Sequence, residues 1–471
     1  MSDNIVSKDD VPLLYDLTHK MAPYLDVHLV FPLLEFLEEN TAYEDKEVQH
    51  ARLELLAPTN MVDYAIEIHT ALTGETEPKE MSGRRDAVFE TMESLESKLE
   101  SVRQVLRDQE QVDALRQEGC LNPTGLLERH EFSAQILDEF YVFAKFLYEC
   151  GDYQEAHDML ELYLEIYTGI NTKHYLDALW GKFASEILLK NWENALVDLL
   201  RIKANIDERS DKSPLEQLQQ RSWLLHWSLF VFFNHDKGHD GIIDLFLSDK
   251  YLQAIQTNCP WLLRYLATAV IINKRRRSTI KDLVRIVTQE FRQQHTTESS
   301  TLSISPSDNS NDNLDPVITF IDCLYSKFDF EGAQKTLREC EKALRADYFL
   351  CNCASAFMED ARICLHDAYC RIHTKVDITD LAAKLDMDAL AAERWIADLI
   401  RGALLDAKID SQNSCVIMNN QFPSVYSQVI DKTRDLFLRS NALINNIDLK
   451  ILANDRKIQA QQLAAAATDR D

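Results

Sequence analysis

The chain reads as an all-α protein: a solenoid of helical hairpins, followed by a winged-helix module and a long C-terminal helix. Three observations predict this. The 471 residues include only 11 glycines and 11 prolines, less than half the usual shares of roughly 7% and 5%. Sheet-rich and turn-rich folds need those residues for positive φ and tight reversals. An aromatic–x–x–Ala–x–x–x–Leu pattern occurs three times, at Tyr153/Ala156/Leu160, Trp192/Ala195/Leu199 and Phe330/Ala333/Leu337, the first two copies 39 residues apart. Residues 376–420 pass from helix–turn–helix to a two-stranded hairpin, the order of a winged helix.

Taken in order, residues 1–76 form N-terminal helical hairpins. Residues 13–37 give two short amphipathic helices, each interrupted by a proline. A third spans about 46–56, and a fourth opens after Thr59-Asn60 and stops at Gly74. Apolar residues at three- and four-residue intervals set these assignments. Residues 77–130 hold a charged heptad helix and a linker. Val88, Met92, Leu95, Leu99, Val102 and Leu106 are spaced by 4, 3, 4, 3 and 4. That length suits a helix packed on a neighbour and falls short of the three to four heptads of a free coiled coil.

Residues 131–375 carry the helical repeats. The alanine of each copy lets a second helix approach closely, while the aromatic and the leucine fill the space between hairpins, as in a stacked solenoid. The pattern resembles a tetratricopeptide core without its full consensus. The run Trp223, His226, Trp227, Phe230, Phe232 and Phe233 has aromatics on every side of a helix, which predicts full burial rather than a cofactor box. Residues 293–315 are polar and serine-rich and are expected to be a disordered surface loop, because they bury too little to repay ordering.

Residues 376–420 form the winged helix. Asp377-Ile378-Thr379 start a short helix, Met387-Asp388 turn the chain, and a second helix runs from Leu390 to Arg401. Strands 404–410 and 415–418 make the wing. Its recognition-position helix carries Arg394 and Arg401 amid alanine and leucine. Major-groove readers present several polar side chains to base edges, so this module reads as a protein-pairing surface. Residues 421–471 form the C-terminal helix and a fraying tail, with Val425, Val429, Leu436, Leu443, Ile447 and Ile451 on one face.

The balance of 77 acidic against 50 basic residues gives a formal charge of −27. A chain this acidic is a poor general binder of nucleic acid, whose affinity comes from neutralising phosphates. It favours solubility and partners with basic patches. The one strongly basic run, Lys274, Arg275, Arg276 and Arg277, suits a solvated helix end; a local RNA contact, a partner contact or a nuclear-import patch is the alternative. The start MSDNIVSKDD is polar, without a secretory leader. No apolar stretch reaches the ~20 residues of a membrane span, so no membrane role is expected. Ten cysteines lie mostly within apolar helical patterns and read as reduced core thiols of a cytoplasmic protein, with the nucleus as a second compartment.

No phosphate loop, nucleophile elbow or HExxH motif is present, and Gly151, Gly181 and Gly332 look like isolated helix residues. No enzymatic activity and no cofactor are expected. The best metal candidate is Cys351, Cys353, Cys364, His366, Cys370 and His373, the last histidine–cysteine–histidine set spaced i, i+4, i+7. The segment has a helical pattern without wrapping loops, so these residues are assigned to the core and no metal site is expected.

Helical repeats running into a winged helix and then a long helix resemble the PCI-domain family, shared by subunits of the proteasome lid, the signalosome and eukaryotic translation initiation factor 3. Within it, the similarity is to the initiation-factor branch. HLVFPLLEFL (28–37), TNMVDYAIEI (59–68), LWGKFASEILLKNW (179–192), LEQLQQRSWLLHWSLFVFFNH (215–235), DFEGAQKTLRECE (329–341) and AERWIADLIRGALLDAKIDS (392–411) carry it. The resemblance implies a scaffold subunit that pairs with other PCI and MPN subunits, meets the small ribosomal subunit through the complex, and supports mRNA recruitment. By the same analogy Ile409, Val416 and Ile417 in the wing, and Leu436, Leu443 and Ile447 in the last helix, would be contact positions. A sibling complex with the same fold, or a nucleic-acid regulator acting through the winged helix, are the alternatives.

Overall fold

Strong helix formers with few breakers produce a chain of helices, most of them packed against the next. In the computed structural model the residues described are 15–40, 43, 45–74, 79–107, 112, 115–118, 122–123, 125–126, 134–167, 174–208, 213–235, 238–273, 277–300, 315–373, 375–379, 382, 389–401, 407–410, 414–418, 425–426, 428–444 and 447. They fall into two units, Met1–Tyr369 and Cys370–Asp471.

The first unit opens with α1 (Thr18–Met21) and a 3₁₀ turn (Ala22–Tyr24), then α2 (Val27–Glu39), α3 (Asp45–Leu56), α4 (Val62–Thr73) and α5 (Lys79–Arg107). Pro32 lies inside α2 without ending it, so that proline is not the break expected from the sequence. Gly74 closes α4 in the left-handed conformation at φ 68°, as glycine caps do. α5 is the heptad helix. It packs on α4 and on α6 (Ala134–Cys150), with Leu99 fully buried. Arg84 anchors it by donating to the carbonyls of Ala57 and Thr59 at 2.6 Å each.

The repeats continue through α7 (Tyr153–Ile166), α8 (Tyr175–Leu188), α9 (Trp192–Glu208), α10 (Pro214–Asn234), α11 (Gly238–Phe246), α12 (Asp249–Asn258), α13 (Leu263–Ile272), α14 (Arg277–Ser300), α15 (Pro316–Ile321), α16 (Phe330–Arg345) and α17 (Ala354–Ile372). The three pattern copies each open the second helix of a hairpin. Ala156, Ala195 and Ala333 are fully buried, with Leu160, Leu199 and Leu337 beside them in the core. Two residues before each aromatic, the backbone turns left-handed, at Gly151 (φ 93°), Lys190 (φ 61°) and Phe328 (φ 54°). Asp152 N–H and Asn191 N–H then reach back five residues to the carbonyls of Leu147 and Glu186, at 3.1 and 2.9 Å, which closes the preceding helix in a Schellman turn. Gly151 is therefore a turn residue and not an isolated helix glycine.

α14 carries the chain to Ser300, and Asp315 caps α15 by accepting from Val317 N–H at 2.9 Å. The expected loop thus begins inside a helix. Once nucleated upstream, helical turns propagate at little cost through polar residues such as Gln293 and Thr296. Residues 301–314 of that expectation lie outside the described residues. The N-terminal segment returns onto the repeats. The Tyr24 ring stacks on His226 at 4.5 Å, Trp227 donates to the Tyr24 carbonyl at 3.0 Å, and Arg264 donates to the Tyr15 carbonyl at 2.9 Å.

In the second unit, β1 (Lys375–Asp377), α18 (Ala389–Arg401), β2 (Ala407–Asp410) and β3 (Cys415–Met418) form the winged helix, with antiparallel strand order β1–β3–β2. Sequence pattern misses β1, which is three residues long with one buried side chain, Val376. Ile378, Thr379 and Ala382 are helical; the turn expected at Met387-Asp388 lies outside the described residues.

Candidate interaction surfaces

Sheet register decides which wing residues face outward. Directly opposed residues share a face, and Val416 stands opposite both Val376 and Ile409. Val416 and Val376 are buried and Ile409 is partly so. These three hold the sheet to its own module, which corrects the assignment of Val416 as a contact position. One residue on, the side chain turns over. Ile417 lies between Lys375 and Lys408 and is 46% exposed, the outward apolar residue of the central strand.

Residues 428–444 form a helix on which every described position is exposed, as are residues 425, 426 and 447. Leu436 is 63% exposed and Leu443 61%. The expected face is present among the described residues as Val425, Val429, Leu436, Leu443 and Ile447. A second stripe lies beyond that expectation: Tyr426, Ile430, Phe437 and Ile444 are equally bare. Each stands one position after a member of the first stripe, so the same heptad spacing marks it. At about 100° per residue the two stripes span an apolar arc of roughly 140°, wider than the single seam of a two-stranded coiled coil. Asp431, Arg434 and Asp435 fall on the other side.

Lys274, Arg275 and Arg276 lie outside the described residues. Arg277 begins α14. In α18, Arg394 and Arg401 are exposed, and Arg401 pairs with Asp398 at 3.4 Å, which leaves this helix mixed in charge. The cysteine–histidine set is not gathered. His366 is buried in α17, His373 lies beyond its end and is exposed, and Cys351 and Cys353 sit in a separate 3₁₀ turn. Burial pushes the His366 imidazole down to about 4. Among the described residues no three histidine, cysteine or carboxylate side chains are placed to hold a metal ion. The cysteines described there form no disulfide.

Several buried charged and polar groups of the repeats engage one another. Lys182 Nζ lies 3.1 Å from Asp198 Oδ2 and 3.5 Å from Glu186 Oε1, and His157 Nε2 lies 3.3 Å from the same Glu186 oxygen. Burial raises the Glu186 carboxyl, and its hydrogen bond raises the His157 imidazole. Arg264 pairs with Asp315 and, at 3.2 Å, with Asp347, which also accepts from the Tyr265 hydroxyl at 2.9 Å. His226 donates from Nδ1 to the Ser222 carbonyl at 2.7 Å and accepts at Nε2 from Trp261 at 3.2 Å. Burial pushes it down to about 4, so it stays neutral.

The aromatic run is not wholly enclosed. His226, Trp227, Phe230 and Phe232 are buried, but Trp223 and Phe233 are only half-buried. Trp223 lines a cleft between helices of the repeats, which the sequence does not reveal. No described helix is long and apolar enough to cross a membrane.

Comparison with known proteins matches three stretches to family descriptions. Residues 16–147 match "eIF3 subunit 6 N terminal domain" and residues 337–420 match "PCI domain". Residues 424–444 match the C-terminal family of the E subunit of eukaryotic translation initiation factor 3, and this stretch coincides with the bare helix. Proteins named as the E subunit of that factor are similar over nearly the whole chain. That of Arabidopsis thaliana is 42% identical, covering 92% of this chain and 96% of the relative. That of Bombyx mori is 41% identical, covering 94% and 98%, and that of Aspergillus clavatus is 40% identical, covering 92% and 94%.

Proposed function

Because the chain belongs to the family of the E subunit of eukaryotic translation initiation factor 3, we propose that it is a non-catalytic scaffold subunit of that factor in the cytoplasm. In this reading it pairs with other PCI and MPN subunits, and through the assembled complex supports attachment to the small ribosomal subunit and mRNA recruitment.

One observation carries the proposal: the two apolar stripes at 425–447, bare on every described residue. Each fully buried leucine or isoleucine contributes about 1.5–3 kcal/mol, and contiguous apolar surface of this kind marks a protein contact. A single partner helix covers one stripe. Two stripes about 100° apart call for two neighbouring helices, so the chain would sit inside a multi-helix bundle rather than a pair. The contact set becomes Leu436, Leu443 and Ile447 on one side and Ile430, Phe437 and Ile444 on the other, with Ile417 as the apolar point of the wing.

The test is purification of the tagged full-length chain from a gently lysed extract. The expected result is co-elution with the other subunits of initiation factor 3 and sedimentation of a fraction with small ribosomal subunits. Elution as a free monomer, or with proteasome-lid or signalosome subunits alone, overturns the reading.

A further inference from the structure

Helices α6, α8 and α10, every second helix of the repeats, present one face each to a cleft of about 520 Å³ that is roofed by Pro23–Asp26. Its volume is that of a ligand site, roughly 300–1,000 Å³. Gly181 and Ala184 in α8 supply small side chains along its wall. Trp180, Trp223, Trp227 and Tyr141 supply the aromatic surface. Trp227 is already committed, its indole donating to the Tyr24 carbonyl and its ring packed on Trp180 at 4.8 Å. Trp223 is half-buried and enters no ring pair among the described residues.

The charged lining groups are Asp26, Asp177 and Lys145. Lys145 is drawn to Glu149, 3.8 Å away on its own helix. Asp26 accepts from the Tyr148 hydroxyl at 2.7 Å. Asp177 is exposed at the start of α8 and makes no ion pair among the described residues. Its charge, after burial, helps raise the nearby Tyr141 phenol to about 12, so that ring stays neutral.

We propose that this cleft receives an arginine side chain from an extended basic peptide. Aromatic faces beside a carboxylate attract an organic cation, with the indole the strongest partner. The planar guanidinium can lie on a tryptophan face while its N–H fork reaches a carboxylate, which an ammonium cannot do as well. A phosphate-bearing occupant would meet Asp26 and Asp177 and be repelled, whereas the net charge of −27 draws basic segments toward the chain. The site lies within the repeats and stands independently of the bundle formed by residues 425–447.

The test uses the full-length chain and fluorescein-labelled acetyl-Gly-Arg-Gly-Arg-Gly-amide. Its twin carries citrulline in place of arginine, keeping the shape and removing the charge. Fluorescence anisotropy is expected to show saturable binding of the arginine peptide, with the citrulline peptide at least about tenfold weaker. Asp177→Asn, at an exposed position, is expected to weaken binding about three- to tenfold with the far-ultraviolet circular dichroism unchanged, and Trp223→Leu to do the same. Equal binding of the two peptides overturns the proposal. So do undiminished binding by Asp177→Asn, absence of binding at millimolar peptide, and stoichiometric displacement by a short oligouridylate, which would assign the cleft to nucleic acid.

Discussion

Between residues 153 and 350 even charged side chains are buried, whereas between 425 and 447 even leucines are bare. Lys182, Glu186, Asp198, Arg264 and Asp347 have almost no solvent contact, while Leu436, Phe437 and Ile444 are each more than half exposed. The repeats meet their own requirements, since Lys182, Asp198, Arg264 and Asp347 each have a counter-ion from another helix or turn. The C-terminal helix does not. Its apolar arc has the composition of a core but lacks the other half of one. The same chain thus has a part that pairs its own buried charges and, among the described residues, a part whose apolar arc is left bare.

Three measurements would break or sharpen this contrast. The largest effect is expected at Arg264. Replacing it by methionine leaves Asp347 buried without its cation and frees Asp315 and the Tyr15 carbonyl. Removing one partner of a buried pair costs about 3–5 kcal/mol, so urea unfolding of Arg264→Met should show a loss of that size. A loss below about 1 kcal/mol would mean that the repeats do not depend on their internal pairing.

The second concerns the bare helix. The double variant Leu436→Glu/Leu443→Glu should weaken capture by the other subunits about a hundredfold, close to 2.7 kcal/mol. Its unfolding midpoint in isolation should stay where it was, because both positions are already in water. A lowered midpoint with intact assembly would show that the helix serves its own chain.

The third is a pH effect confined to the repeats. Burial holds His226 down to about 4, below the ordinary value of 6.5. The folded protein therefore binds fewer protons than the unfolded chain between those values. Stability contributed by neutral His226 is complete above about pH 6.5, falls as pH drops, and levels off near 4. One such group changes stability by up to about 1.4 kcal/mol per pH unit. His226→Gln should remove close to one proton from the slope of unfolding free energy against pH in that window. His157, raised by its bond to Glu186, acts in the opposite sense and does not mimic the change.

Much of this architecture is legible in residue pattern. Ala156, Ala195 and Ala333 mark the repeats because only a small side chain allows two helices so close, and periodicity places α5, α18 and the wing strands. The misses have specific causes. Periodicity assigns a residue to a face but does not say which face of a three-residue strand is covered, so pattern alone passes over β1, and the family resemblance that puts Val416 among the contacts does not reveal that its side chain is buried. Arg264, Asp315 and Asp347 lie far apart in sequence, and no local rule joins them. The cleft depends on alternate helices lining up Tyr141, Asp177 and Trp223, which spacing within any one helix does not reveal. The second stripe is readable at Tyr426, Ile430, Phe437 and Ile444, but one amphipathic face already accounts for a helix and hides the need for another.

The docking of Tyr15 and Tyr24 onto His226 and Arg264, with Asp347 completing the cluster, has a consequence for how the chain emerges from the ribosome. Translation proceeds at about 5–20 residues per second. The first helical turns must therefore wait roughly a quarter of a minute to a minute before the groups that hold them are made. Until then Ala22 and Leu25 have only the local cluster of Val30, Leu34, Leu37 and Val48 to pack against. Closure of the first unit thus brings its earliest-made segment against groups 203 and 249 residues further along the chain.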